Sequence, residues 1–449
     1  MKVPLKTILE VELSVKNAAI GGVPSFPYGW CLENFLVGSD TEEDENELNA
    51  HMLDVISWDF SMNEAADVPY LMEGYIRNMI NSLDSGNGPP MLLVKDTHMA
   101  TRRKALIHNY YRQHLLLDPL ILHTDPAVDP FLEEDESFRP FGFQEWRKFG
   151  APPGAPGMAK HHPALKEHEF IAWVLAMHFL AAIEVVLLLQ NKNIQFGEKR
   201  SNDSFMKQEF PPPIHFNESI STSMFYGAQN TEESWTMGTI SCRTTFQPST
   251  GDISDTIVSG EARDSRTIDL MLPKGRMYHS KGWVLDLGEA EKKAKKKLTR
   301  YGGLGYIDSK QAYYGTYTSG PLTLFLKSHD YDVSSSKQSE KSLNRIVICE
   351  VNEVRKPGSC NMKEDISFSV SGIEVQPQFV EGVSYLGRQI CVQLEIPPQI
   401  RAVNDPRNEE ASFSESSKDM GYILEVVVKN KSITKDEACS VSHIVWEMI

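Results

Sequence analysis

Three short segments hold the residue types that acyl transfer needs. Residues 17–22 read Asn-Ala-Ala-Ile-Gly-Gly, residues 58–64 read Trp-Asp-Phe-Ser-Met-Asn-Glu, and residues 161–163 read His-His-Pro. An acyl-transfer transition state places negative charge on one oxygen, which preorganised donors in a dry site stabilise. A glycine just past a strand lets its backbone N–H approach a substrate with no side chain in the way. An asparagine carboxamide can donate to the same oxygen, and a histidine supplies the general base. Together the three segments offer an oxyanion site and a base.

Such residues must be positioned by strand ends, and the surrounding pattern supplies candidates. Residues 7–15 and 54–60 read as strands, 68–83 as an amphipathic helix, 91–95 as a short strand and 101–117 as a helix. Alternation of this kind predicts a parallel sheet covered by helices. The three segments would then lie at carboxyl ends of strands, where open parallel sheets bind ligands. Residues 170–189 form an apolar run long enough to span a bilayer, interrupted by His178 and Glu184. With no strong basic anchor at either flank, it is expected to be a helix packed on the sheet rather than a membrane span.

Taken in order, the segments resemble three sequence blocks of the SGNH (GDSL-type) ester hydrolases. Asn17–Gly22 resembles the block that carries the functional glycine, Ser61-Met62-Asn63-Glu64 the block that carries the asparagine, and His162-Pro163 the block that carries the histidine. The resemblance covers about residues 10 to 190. It implies a flavodoxin-like three-layer α/β/α domain acting on acyl or acetyl esters, including carbohydrate-linked ones, with Gly22 and Asn63 binding the oxyanion and His162 as the base. It implies no cofactor. Two departures from the family pattern bear on activity. No Gly-Asp-Ser nucleophile block occurs, and the position three before His162, where the family carries its acid, is Ala159. A nucleophile-bearing first strand is therefore expected to be missing, the α/β domain to be incomplete at its N-terminus, and ester turnover by this chain to be absent.

The rest of the chain changes character. Residues 191–235 are polar and contain Pro211-Pro212-Pro213, the composition of a linker or an extended excursion. Beyond them, β-rich stretches at 236–247, 314–327, 345–354, 366–376, 390–396, 422–430 and 439–448 alternate with turn residues, predicting a mainly antiparallel sandwich. The organisation is thus a hydrolase-like domain over 1–190, a connection over 191–235 and a sandwich over 236–449. Tyrosines among glycines at 301–306 and 313–317 could stack on sugar rings or simply pack.

Composition narrows the partners. A net charge of −16 disfavours nucleic acid, and the resemblance implies a small acyl-ester or carbohydrate-ester molecule as the partner. The six cysteines, Cys31, Cys242, Cys349, Cys360, Cys391 and Cys439, form no Cys-x-x-Cys pair. Nor do His161, His162, Glu167 and His168 show zinc-ligand spacing, so no metal is expected. Disulfides and isolated buried thiols fit the cysteines equally well, and sequons at Asn202, Asn217 and Asn430 permit a secretory compartment without establishing one. A reading from a different class competes with the hydrolase. It is a non-catalytic binding or adhesion protein that keeps the hydrolase fold and recognises its partner through the sandwich.

Overall fold

A computed structural model describes parts of residues 25–123, scattered positions between 172 and 188, and most of 209–245, 312–328, 342–351, 360–380, 389–404, 420–433 and 438–449, with short pieces between. A short helix α1 (Ser25–Tyr28) runs into a 3-10 turn at Gly29–Cys31. Then come β1 (Val55–Trp58), α2 (Pro69–Leu83), β2 (Met91–Asp96) and β3 (Leu120–His123). Three small strands follow, β4 (Glu209–Phe210), β5 (Ala228–Gln229) and β6 (Trp235–Thr236), and then β7 (Thr239–Thr244). Next are β8 (Met271–Leu272), β9 (Gly275–Arg276), β10 (Val284–Leu285), β11 (Tyr313–Gly315), β12 (Leu322–Lys327) and β13 (Leu343–Val351). The chain closes with β14 (Ile366–Val370), β15 (Ile373–Val375), β16 (Pro377–Phe379), β17 (Gln389–Glu395), β18 (Val403–Asn404), β19 (Met420–Val428), β20 (Cys439–Val441) and β21 (His443–Met448).

This inventory overturns the three-layer α/β/α expectation. The described residues are mostly strand, in several antiparallel sheets, and the parallel part is confined to the sheet β1-β2-β3 with α2 as the crossover from β1 to β2. Sequence alternation identified one βαβ unit correctly, but one unit does not make a domain with helices on both faces. The hydrolase-type fold is therefore not the fold of the described chain.

The larger body is built from two five-stranded sheets. One has the order β12-β19-β14-β15 with β18 added beside β19, the other β16-β17-β13-β21-β7. Period-two patterning makes the first sheet one-sided. Leu322, Leu324 and Leu326 of β12, Ile366, Phe368 and Val370 of β14, and Leu424, Val426 and Val428 of β19 all point into a shared core. The second sheet answers with Ile346, Ile348, Val392, Leu394, Ile444 and Trp446. Polar handles of buried aromatics join the two sheets. Trp446 Nε1 donates to the Lys327 carbonyl at 3.0 Å, and the Leu343 N–H donates to Tyr422 Oη at 3.1 Å. The β14–β15 hairpin turns on Ser371 and Gly372, with φ of 47° and 80°, the two successive left-handed residues that a tight two-residue hairpin requires.

All six residues of β21 are buried, so the second sheet is covered on its outer face as well. The outer row Glu395–Arg345–Glu447 alternates in charge across β17, β13 and β21. Burial lowers the Arg345 pKa, while Glu447 and Glu395 act against that shift. Near β7 the outer face meets the 3-10 turn, and Cys31 is disulfide-bonded there to Cys242. Two further disulfides, Cys349–Cys391 and Cys360–Cys439, lie within the sandwich and account for every cysteine.

Helix α2 links this outer layer to the rest. Proline at its first position suits a helix start. From Met72 to Ile80 it is buried all the way round. Met72, Ile76, Met79 and Ile80 share one arc, and Glu73, Arg77, Asn78 and Asn81 occupy the rest of the circumference. Asn78 donates to the Gly29 carbonyl, and Asn81 donates to the Gly238 carbonyl at 3.1 Å.

The apolar run at 170–189 also departs from expectation. Its described positions between 172 and 188 are helical, yet none of them is buried, so packing against the sheet is not their environment. Among the described residues, no helix is long and apolar enough to cross a membrane.

Candidate functional site

Gly22, Asn63 and His162 lie outside the described residues, and so does Ala159. The structure therefore gives no geometry for the oxyanion site or its base. A serine–histidine hydrogen bond does occur elsewhere, between Ser442 Oγ and His443 Nδ1 at 3.0 Å. Both residues are fully buried, and Ser442 Oγ also donates to the Cys349 carbonyl at 3.1 Å. Burial pushes the His443 pKa down to about 3, so its ring is neutral at ordinary pH. A pair sealed inside a sheet has no access to substrate and serves packing.

A polar cluster that sequence reasoning missed surrounds α2. Tyr111 Oη donates to Glu73 Oε1 at 2.7 Å, and Arg77 Nη1 donates to Tyr111 Oη at 3.1 Å. The same guanidinium donates to the Pro211 carbonyl at 2.8 Å and lies 4.8 Å from the Phe210 ring centroid. Glu73 Oε1 also accepts the Ile214 N–H at 2.8 Å, and Tyr110 Oη donates to the Pro212 carbonyl at 2.7 Å. Burial, more than the opposing influence of Arg77, raises the Tyr111 pKa well above the usual phenol value. With Glu73, Arg77 and Tyr111 all fully buried, this is a clamp on the proline run rather than a proton-transfer site. Within the segment read as a linker or an extended excursion, the Pro211 and Pro212 carbonyls are thus fastened to Arg77 of α2 and to Tyr110. A run of prolines leaves its carbonyls unpaired locally, which is the signal that could have pointed to a docked segment.

Exposed chemistry lies on the sandwich itself. Tyr317 tips the β11–β12 turn at 41% exposure, and Lys431 Nζ stands 5.8 Å from its ring centroid. Phe379 on the edge strand β16 is also 41% exposed, with Lys363 Nζ 5.7 Å from its ring centroid. The two lysines sit on separate turns that one carboxylate joins. Asp365 Oδ2 accepts the Asn361 N–H at 2.6 Å, and Asp365 Oδ1 accepts the Asn430 amide at 2.6 Å. Asn430 Oδ1 in turn accepts the Ser432 N–H at 3.0 Å and its hydroxyl at 2.7 Å. Beside Tyr317, Thr316 and Thr318 share a 3.0 Å hydroxyl contact, and Ser319 Oγ accepts the Thr316 N–H. Two aromatic–lysine pairs therefore lie on the surface of the sandwich, one aromatic on a turn and the other on an edge strand, with both lysines on turns fixed by hydrogen bonds.

Of the tyrosines singled out in the sequence, Tyr301 and Tyr306 lie outside the described residues; of the others, Tyr313 is buried, Tyr314 is half-buried and Tyr317 is exposed. Among the described residues, no three His, Cys, Asp or Glu side chains come together as a metal site. No family model matches the chain, and no curated protein matches it.

Proposed function

We propose that this is a non-catalytic recognition protein whose sandwich binds neutral carbohydrate through Tyr317–Lys431 and Phe379–Lys363. The carrying observation is that both exposed aromatics of the sandwich have a lysine beside the ring, and that Asp365 joins the two turns that carry those lysines. An exposed ring stacks on the C–H face of a sugar, and an ammonium group donates to its hydroxyls. The net charge of −16 disfavours polyanions, so neutral sugars suit the strip better than acidic ones. Full pairing of the cysteines supports work in an oxidising compartment. The test is titration against a panel of neutral and acidic oligosaccharides. Binding to a neutral member should weaken roughly tenfold or more in Tyr317→Ala and in Phe379→Ala, as for a central aromatic anchor. Binding that neither variant alters, or binding by acidic members alone, would sink the reading.

A second reading, ester hydrolysis or descent from it, has one observation in its favour. β1 is a parallel strand that ends at Trp58, shortly before Asn63. Purified protein against short-chain nitrophenyl esters, with His162→Ala as control, tests it. Turnover lost in the variant, together with fluorophosphonate labelling of one serine, would establish it over the recognition reading.

A further inference from the structure

The helical positions between 172 and 188 carry a regular exposed stripe. Trp173, Met177, Leu180 and Leu187 are 60%, 48%, 49% and 46% exposed. With the exposed Glu184 they recur at alternating steps of four and three, the spacing that keeps a seam facing a partner helix. Leu188, at 52%, flanks the stripe.

A single membrane crossing does not explain this stripe, because contacts tie the two flanks of the helix together. Cys31 is bonded to Cys242, Tyr110 donates to the Pro212 carbonyl, and Asn81 donates to the Gly238 carbonyl. A span at 170–189 would place the members of each pair on opposite sides of a bilayer. A helix lying in the membrane interface typically needs a basic polar face, and residues 170–189 contain no Lys or Arg.

We propose that a second copy of this chain covers the stripe, the two helices running antiparallel about a two-fold axis at Leu180. Residues 173 and 187 are equally far from 180, so the stripe is self-complementary, as a two-fold interface must be. Leu180 meets Leu180, Trp173 meets Leu187, and Met177 lies beside Glu184. The stripe offers on the order of 500 Å² of apolar side chain per copy, about 1,000 Å² for the pair, near the lower bound for a specific interface. Glu184 is the one polar residue in the seam and weakens it.

Sedimentation equilibrium of the full chain, across low to high micromolar concentration, tests this. The protein should dimerise. Leu180→Asp should weaken association roughly tenfold or more while leaving the thermal midpoint of the monomer unchanged, since Leu180 is half exposed there. Glu184→Leu should tighten it. Leu180→Cys should yield a reducible covalent dimer on oxidation, because the two sulfurs meet at the axis. A monomer at every concentration, or a dimer indifferent to Leu180→Asp, overturns the proposal. So does flotation of the wild type with phosphatidylcholine vesicles that Leu180→Asp abolishes, since lipid would then be the occupant.

Discussion

Asp365 and Asn430, 65 residues apart in the chain, meet at 2.6 Å and hold two surface turns as one unit. Because the other carboxylate oxygen takes the Asn361 N–H, a single side chain fixes both lysine-bearing turns. Asp365→Ala should therefore cost about 2–3 kcal/mol in a urea titration, the range for losing hydrogen bonds to a charged acceptor. It should also weaken carbohydrate binding, although Asp365 flanks neither aromatic ring. Unchanged binding would show that the turns need no such lock.

Glu73, Arg77 and Tyr111 test how the proline run is held. Arg77→Met should cost roughly 3–5 kcal/mol, because it leaves the Glu73 carboxylate buried without its cation. The double variant Glu73→Leu/Arg77→Met should cost less than the single one, since no buried charge remains. Denaturant midpoints of the two variants make the comparison, and equal losses would mean that the charges act independently.

His443 sets an acid sensitivity. Its folded pKa, about 3, lies below the ordinary histidine value, so the unfolded chain binds the extra proton first as pH falls. The favourable contribution is complete above about pH 6.5 and fades by up to about 1.4 kcal/mol per pH unit as pH drops toward 3. His443→Gln should remove this component. Unfolding free energies measured at pH 7 and pH 5 for both proteins should differ in slope, and parallel slopes would refute the assignment.

Gly315 faces the indole of Trp283 so closely that an added Cβ would come 2.4 Å from Cε2. That ring is itself fixed, donating through Nε1 to the Gly320 carbonyl at 2.8 Å. Gly315→Ala should cost about 1–3 kcal/mol by overpacking, read as a lower thermal midpoint. Because this glycine precedes the Tyr317 turn, the variant should weaken binding too.

The strands of the first sheet were legible because their alternation has a buried partner on one side only. The apolar alternation at 366–376 and 422–430 corresponds to β14 and β15, and to β19, of the one-sided sheet. The α/β expectation failed for a physical reason. A strand, a helix and a strand in sequence specify one crossover, but whether more layers follow depends on residues far away. The apolar run at 170–189 misled similarly, since hydrophobicity signals a need for cover without saying what provides it. The α2 clamp was invisible because Glu73 and Arg77, four apart on a helix, look like an ordinary solvated pair. The disulfide partners were equally undetermined, since six cysteines allow fifteen pairings. Of the candidate strip, Tyr317 was within reach of the sequence as one of several tyrosines among glycines. Phe379 and Lys363 were not, because their neighbourhood depends on how distant turns are tied together.

The bond between Cys31 and Cys242, separated by 211 residues, turns that stretch of the chain into a covalent ring. A protease that cuts once anywhere inside the ring cannot release a fragment. The nicked protein would keep its full mass under non-reducing conditions and fall into two pieces only when thiol is added. Maturation by internal cleavage could therefore proceed without loss of either half, and reduction would decide when the two halves part.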